Sequence, residues 1–171
     1  VSALAVADTM AYGAAGALGV VPIDLVQPAS PAPLGAIDTP GHAYGVALAS
    51  GTLCVADGSG GLRLYDLAEP TRPALRGAYS GHGPIRAVAV ASEIAYVLDE
   101  HAGLQAVSLA DPAKPTPLGE PVAIELGEAL AIAGANAFAT DRIGGFFSID
   151  LTNPAAPALR QTAHLRAPGR A

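Results

Sequence analysis

The chain has 171 residues, 51% of them hydrophobic, so it is long enough for one domain with a buried core and too apolar to be disordered. The formal net charge of −6 and nine scattered Lys and Arg residues argue against nucleic acid as a partner, because phosphate binding needs a concentrated basic surface. The single cysteine, Cys54, excludes an intramolecular disulfide and a cysteine-based zinc site. We expect neither a metal nor a cofactor.

The chain opens on an apolar stretch, residues 1–7, that could pass for the core of a signal peptide. It lacks a basic segment before it and aligns in register with interior segments, so we interpret it as a strand. The sequence starts without Met and with a repeat already under way, which favours a processed or truncated chain. No apolar run approaches the roughly 20 residues that span a bilayer, so we expect no membrane insertion.

Four copies of a segment close to Asp-Leu-x-x-Pro-x-x-Pro follow along the chain, 42 residues apart and without a slip. Other positions keep the same spacing: an Ala at 5, 47, 89 and 131, a Gly at 19, 61, 103 and 145, and an aromatic residue or Cys at 12, 54, 96 and 138. A period of roughly 20 to 50 residues is typical of solenoids, propellers and arrays. We therefore divide a single domain, residues 1–171, into repeats 4–45, 46–87, 88–129 and 130–171.

Each repeat contains four short apolar or β-branched runs between clusters of Gly, Asp, Ser and Pro, which predicts four strands. In the second repeat we expect strands at residues 46–49, 52–56, 61–67 and 74–79. The glycines of residues 57–61 predict a hairpin between the second and third strands, because Gly adopts positive φ at little cost. Pro70 and Pro73 cannot donate ladder hydrogen bonds, so the sheet must break after the third strand.

The third strands carry large apolar groups on both faces, and residues 145–151 are an example. Such a strand is covered on both sides, which a propeller achieves by placing each blade between two neighbours. We therefore predict an all-β β-propeller with four 42-residue blades of four antiparallel strands in this chain. The end repeats are as apolar as the middle ones, whereas an open stack needs polar caps. Either the ring closes on itself, or a second copy completes it as a homodimer, or blades are missing from this chain.

An Asp precedes the repeated Leu in three copies, at Asp24, Asp66 and Asp150, and Ser108 takes that place in the third copy. A ring of carboxylates could bind a cation. An Asx-turn, in which the side chain accepts a hydrogen bond from the N–H two residues on, is the commoner use of such residues. Because Ser makes that turn and is a poor cation ligand, we predict turns at all four positions.

Residues 54–57 read Cys-Val-Ala-Asp and residues 60–67 read Gly-Gly-Leu-Arg-Leu-Tyr-Asp-Leu, followed by Pro70 and Pro73. Residues 95–99 repeat the first motif as Ala-Tyr-Val-Leu-Asp. Together these motifs resemble the LVIVD-repeat β-propellers, and the resemblance extends over essentially the whole chain. It implies a bacterial or archaeal protein, secreted or at the cell surface, with no defined catalytic role and commonly with more than four blades. Ala15, at the position of Asp57, and Ser108 depart from the pattern.

In a propeller, the hairpin between the second and third strands lies on the same face as the segments that join the blades. We call this face of the propeller the top face. Loops on a rigid scaffold are a common place for binding. Its candidate ligand-binding residues are His42, Tyr44, Asp57, His82, Arg86, Asp99, His101, Asp141 and Arg142, and it would also hold Glu125, Glu128, His164, Arg166 and Arg170. The simpler interpretation gives the Asp residues a turn role and leaves the His residues in solvent. Neither a His-x-x-x-His spacing nor a calcium-loop motif occurs, so we assign no metal ligand.

Three functions are compatible with these features. The leading hypothesis is a non-enzymatic interaction or scaffold module that binds a protein, peptide or glycan through its top-face loops. The resemblance favours an extracellular, cell-surface or periplasmic location. The second hypothesis is a hydrolase or lyase that uses top-face acids and histidines, although no Gly-x-Ser-x-Gly elbow occurs and no catalytic residue is assigned. The third is a purely structural piece of a larger propeller protein.

Overall fold

The computed structural model describes residues 1–164, which form sixteen β-strands. Blade 1 contains β1 (Ala3–Ala7), β2 (Met10–Ala14), β3 (Val20–Asp24) and β4 (Ala32–Pro33), and blade 2 contains β5 (Gly45–Ala49), β6 (Thr52–Ala56), β7 (Leu62–Asp66) and β8 (Ala74–Tyr79). Blade 3 contains β9 (Ile85–Ala91), β10 (Ile94–Asp99), β11 (Gly103–Ser108) and β12 (Thr116–Val122), and blade 4 contains β13 (Gly127–Ala133), β14 (Asn136–Asp141), β15 (Gly145–Asp150) and β16 (Ala158–His164). Residues 1–164 include no helix that could cross a membrane.

The strands form four separate antiparallel sheets, each hydrogen-bonded in chain order. The first strands of successive blades, β1, β5, β9 and β13, pack against one another and are therefore innermost. This arrangement confirms the predicted all-β propeller class. In the second repeat, the observed strands agree with the predicted ones to within one residue at each end. The apolar opening stretch contains β1, as its interpretation as a strand predicts.

The repeated Ala and the repeated aromatic residue or Cys hold the same register in every blade. Ala5 pairs with Tyr12, Ala47 with Cys54, Ala89 with Tyr96, and Ala131 with Phe138. Space is tightest where the innermost strands of neighbouring blades meet, which explains why that strand carries the small residue. The larger residue lies one strand further out, where the blades diverge.

Three apolar clusters, one between each pair of neighbouring blades, form the core. Between blades 2 and 3, for example, Leu62 and Leu64 pack with Val97 and Val107, and all four are fully buried. Burying one such side chain stabilises the fold by about 1.5–3 kcal/mol. Cys54 belongs to the same cluster, as predicted, and burial raises the pKa of its thiol to about 12.

The predicted turns after the third strands are confirmed in all four blades. The N–H groups of Val26, Ala68 and Thr152 donate to Oδ1 of Asp24, Asp66 and Asp150 at 2.7, 2.8 and 2.8 Å, and that of Ala110 donates to Oγ of Ser108 at 3.3 Å. The Thr152 hydroxyl also donates to Asp150, and these bonds hold the pKa of that carboxyl below its usual value. The repeated Asp is therefore a structural residue.

The predicted glycine hairpin between β6 and β7 is also present. Gly60 N–H donates to the carbonyl oxygen of Asp57 at 2.8 Å, and Gly61 N–H donates to that of Gly58 at 3.0 Å. Gly61 has a φ of 81°, and a Cβ there would overlap the carbonyl oxygen of Tyr79. The outermost strand therefore approaches β7 too closely for any side chain at this position.

The four blades form an open arc. Within residues 1–164, β13 does not pack on β1 as the other innermost strands pack on their neighbours. Leu4 and Val6 of β1 are each 56% exposed, whereas Val46 and Val88, which match Leu4 in blades 2 and 3, are each 8% exposed. Of the three alternatives for closure, a ring made by these four blades alone is therefore not the arrangement observed.

Candidate functional site

The top ends of the innermost strands border a hollow of about 480 Å³ on the concave side of the arc. It is lined by Ser2, Tyr44, Arg86, Glu128, Ala129 and Arg142. One position of the repeat, at the 42-residue spacing, supplies Ser2, Tyr44, Arg86 and Glu128. We call these four residues the rim column and the space that they line the rim hollow. The repeated Ala and Gly positions keep their residue in all four blades, whereas the rim column changes from Ser to Tyr, Arg and Glu.

Contacts between blades hold the rim column in place. Ser2 Oγ donates to the carbonyl oxygen of Tyr44 at 2.9 Å, which joins blades 1 and 2. The guanidinium of Arg86 lies over the Tyr44 ring, 4.3 Å from its centroid, which joins blades 2 and 3. A cation–π contact of this kind is worth about 0.5–1 kcal/mol when exposed and more when desolvated. The His42 ring stacks beside Tyr44, with the ring centroids 6.2 Å apart.

Two arginines of the rim hollow share one carboxylate. Arg86 Nη2 lies 3.3 Å from Oε1 of Glu100, and Arg142 Nη2 of the next blade lies 3.0 Å from the same oxygen. The Glu100 side chain is only 17% exposed, so solvent weakens these ion pairs less than it does at an open surface. The Nε–H of Arg86 is buried and has no hydrogen-bond partner among residues 1–164. Each guanidinium carries five N–H donors, so the pair retains capacity for a further acceptor.

Asp57 and Asp99, both predicted top-face candidates, are buried and accept hydrogen bonds from the segments that join the blades. Asp57 is fully buried and accepts hydrogen bonds from the Thr39 hydroxyl at 2.5 Å and from Gly41 N–H at 3.0 Å. Thr39 and Gly41 lie in the segment that joins blade 1 to blade 2, so this Asp fastens that segment to the hairpin. Its carboxylate is not part of the rim hollow.

Asp99 makes the same connection one blade further along. Its Oδ2 accepts from the N–H groups of His82 and Gly83 at 2.6 and 3.0 Å, and its Oδ1 accepts from those of His101 and Ala102 at 2.9 and 3.0 Å. Burial alone would raise the pKa of this carboxyl, but the four N–H donors stabilise the anion more strongly and lower the pKa.

The remaining candidates lie apart from the rim hollow. Asp141 accepts from the N–H groups of Ile143 and Gly145 within its own hairpin, at 2.9 and 2.6 Å. His82 and His101 are exposed, and His101 Nδ1 lies 3.2 Å from the carbonyl oxygen of His82. Within the described part of the chain, no three His, Cys, Asp or Glu side chains converge as a metal site would require.

The structure thus brings together Tyr44, Arg86 and Arg142 of the predicted set, with His42 attached through Tyr44. Ser2 and Glu100 were not among the sequence candidates. The change of residue along the rim column is visible in the sequence, but other positions of the repeat change as widely, so the sequence alone does not single it out. Exposed His164 ends β16, and Arg166 and Arg170 lie outside the described residues.

A second hollow, of about 720 Å³, lies at the outer edge of blades 1 and 2 and is bordered by Ile37, Glu69 and Arg72 among others. It lies beside the short outermost strand of blade 1, where β4 has only two residues. The short strand leaves a gap that accounts for this hollow. Its volume, larger than that of the rim hollow, therefore does not indicate a binding site.

Comparison with known proteins supports the repeat assignment. The LVIVD-repeat model matches residues 40–80, which confirms the resemblance across the second repeat. No curated protein matches the sequence.

Solved structures share the fold at low sequence identity. A functionally unknown protein from Desulfotomaculum acetoxidans DSM 771 is 12% identical with a TM-score of 0.78 over 94% of this chain and 55% of its own. A protein from Lactobacillus plantarum is 15% identical with a TM-score of 0.78 over 99% and 57%. The computationally designed Ika8 protein is 11% identical with a TM-score of 0.73 over 94% and 48%. The chain therefore spans about half the length of these structures.

Proposed function

We propose that the chain is a non-enzymatic interaction module that binds a charged peptide segment of a partner protein in the rim hollow. The observation that supports this best is the contrast between columns of the repeat. The repeated Ala and Gly positions are constant, whereas the rim column carries Ser2, Tyr44, Arg86 and Glu128, which all line one hollow. Recognition of an asymmetric ligand would favour four different side chains around one hollow, as the rim column provides.

The chemistry of the rim hollow favours a peptide with an acidic group. Arg86 and Arg142 converge on Glu100 and keep unused N–H donors, and guanidinium groups bind carboxylates in a bidentate geometry. Glu128 is exposed at the same hollow and can accept a basic group of the same ligand. Arg86 covers one face of Tyr44, which leaves less aromatic surface on which a sugar ring could stack. A peptide therefore fits better than a sugar.

An exported or cell-surface location is part of this proposal. The only cysteine, Cys54, is fully buried, so it is shielded from the intermolecular disulfides that an oxidising compartment would otherwise promote. Fractionation of cells that express the chain from its natural gene tests the location independently of the ligand.

Selection of binders from a peptide display library tests the function. We expect the selected peptides to be enriched in Asp, Glu or a free terminal carboxylate. The Arg86→Ala/Arg142→Ala double variant should bind them about 30-fold more weakly, in the range of a hot-spot loss. Arg160→Ala is the matched control, because Arg160 pairs with Asp150 at 2.6 Å away from the rim hollow. Unchanged affinity of the double variant, or binding on a glycan array with none to peptides, would contradict the proposal.

A further inference from the structure

The rim hollow contains a charge cluster of two arginines and one glutamate. Glu100 and Arg142 occupy the same position of the repeat in blades 3 and 4, 42 residues apart, so the step from one blade to the next sets them side by side. Oε1 of Glu100 lies 3.0 Å from Nη2 of Arg142 and 3.3 Å from Nη2 of Arg86, and its Oε2 lies 3.4 Å from the latter nitrogen. The cluster therefore carries two positive charges and one negative charge.

Glu100 contacts one nitrogen of each guanidinium. All of these contacts are made with Nη2, so Glu100 does not use Nη1 of either arginine. Both guanidiniums border the hollow, and 23% of the Arg86 side chain and 38% of the Arg142 side chain are exposed. An anion that accepts from Nη1 therefore shares a planar guanidinium with Glu100. Because the Glu100 side chain is only 17% exposed, solvent does little to screen the repulsion between the two anions.

We propose that Glu100 makes the rim hollow selective for a singly charged carboxylate over a doubly charged phosphate group, an inference that rests on the proposed binding of an acidic peptide. The attraction of the cluster for an anion grows in proportion to the charge of that anion, whereas the cost of removing the anion from water grows with the square of its charge. With one net positive charge, the cluster neutralises a carboxylate. It leaves the second charge of a phosphate group, which carries about −1.5 to −2 at pH 7, without a partner.

Glu100 also holds the two arginines in position, and one substitution separates this role from selectivity. Glu100→Gln keeps the length of the side chain and an oxygen that accepts from the arginines, but it removes the negative charge. The cluster then has two net positive charges, which match a phosphate dianion. A residue that only positions the arginines would affect the binding of both anions alike, so the ratio of the two affinities reports selectivity.

Titration of the isotope-labelled chain with benzoate and with phenyl phosphate at pH 8 tests the proposal, because the two probes share a ring and differ in charge. The NMR signals of the arginine Nε–H groups report binding. We expect the wild type to bind benzoate at least as tightly as phenyl phosphate. Glu100→Gln should shift the ratio of the two dissociation constants at least about tenfold toward phenyl phosphate.

Glu93→Gln is the matched control and should leave the ratio unchanged. Glu93 is exposed in the hairpin between β9 and β10 of the same blade, at the opposite end of β9 from Arg86, and the substitution removes the same charge. Circular dichroism shows whether each variant is folded.

A wild type that binds phenyl phosphate more tightly than benzoate overturns the proposal, and this measurement needs no variant. So does a ratio that a folded Glu100→Gln variant leaves unchanged or that Glu93→Gln shifts equally, and so do probes that leave the signals of Arg86 and Arg142 unmoved.

The peptide selection and this titration fail separately. Selected peptides that bind through the two arginines, together with an unchanged ratio, would refute the role of Glu100 alone. A shifted ratio without any selected peptide would refute the peptide ligand and leave the anion selectivity of the arginine pair in place.

Discussion

At the scale of single residues, some acidic side chains of the top face stabilise the fold and others contact the candidate site. Asp99 ends β10 and is saturated by four backbone N–H groups, whereas Glu100, the next residue, faces the two arginines. Neighbouring residues of an extended chain point to opposite sides, so one step separates the two roles. Asp99 can be identified in the sequence because Asp recurs at this position of the repeat, whereas no recurrence points to Glu100.

Asp99→Asn should destabilise the fold by about 2–3 kcal/mol at pH 7, because hydrogen bonds to a charged acceptor are lost inside the protein. The pKa of Asp99 is lower in the folded state than its usual value of 3.8. The stabilisation is therefore complete above that value and is lost as the pH falls through the folded pKa. The free energies of unfolding of variant and wild type, measured with urea at pH 7 and at pH 3, should differ less at the lower pH.

Asp24→Asn is the control for that experiment. Asp24 accepts one hydrogen bond in an exposed turn, and the Asn side chain that replaces it still offers an oxygen as the acceptor. It should cost less than about 0.5 kcal/mol at either pH. If Asp99→Asn lowers the free energy of unfolding by the same amount at pH 7 and at pH 3, the charge of Asp99 does not stabilise the fold.

Cys54 should resist thiol reagents in the native state. It is fully buried, and with a pKa of about 12 only about one thiol in ten thousand is ionised at pH 8. We expect its reaction with dithiobisnitrobenzoate to proceed at the rate of unfolding and to become immediate in concentrated urea. Labelling in native buffer faster than unfolding would mean that blades 2 and 3 separate locally.

At the scale of elements, the sequence predicts most strands because apolar runs, glycines and prolines recur at a fixed spacing. The weak point is β4, which has two residues where its counterparts have six or seven. Pro22 explains the difference. It stands in β3 where the other blades have Leu64, Ala106 and Ser148, and its carbonyl oxygen faces the outer strand, so its missing N–H removes a donor to β4.

Gly61→Ala tests how closely the outer strand approaches β7. Gly51 and Gly61 both have positive φ, 66° and 81°, so alanine strains either backbone by about 1–2 kcal/mol. Around Gly51 nothing lies within 4 Å of a new Cβ, whereas at Gly61 it overlaps the carbonyl of Tyr79. Thermal and urea unfolding should show Gly61→Ala less stable than Gly51→Ala by a further 1–3 kcal/mol or so. Equal losses would mean that β8 moves away freely.

At the scale of the whole molecule, the site is assembled from residues that the repeat places far apart in the chain. The period predicts that Tyr44 and Arg86 occupy equivalent positions, and it predicts a shared top face. It does not give the rotation between blades, which brings Arg142 of blade 4 to Glu100 of blade 3. The composition of the rim hollow therefore required the structure, although the changing rim column was already visible in the sequence.

The central claim is that the two arginines of the rim hollow bind a carboxylate of a peptide ligand. Calorimetric titration of a display-selected acidic peptide into the wild-type chain, the Arg86→Ala/Arg142→Ala double variant and the Arg160→Ala control measures this in one experiment. We predict equal affinities for the wild type and Arg160→Ala, and binding about 30-fold weaker for the double variant. Equal affinities for all three proteins would show that the peptide does not bind through these arginines.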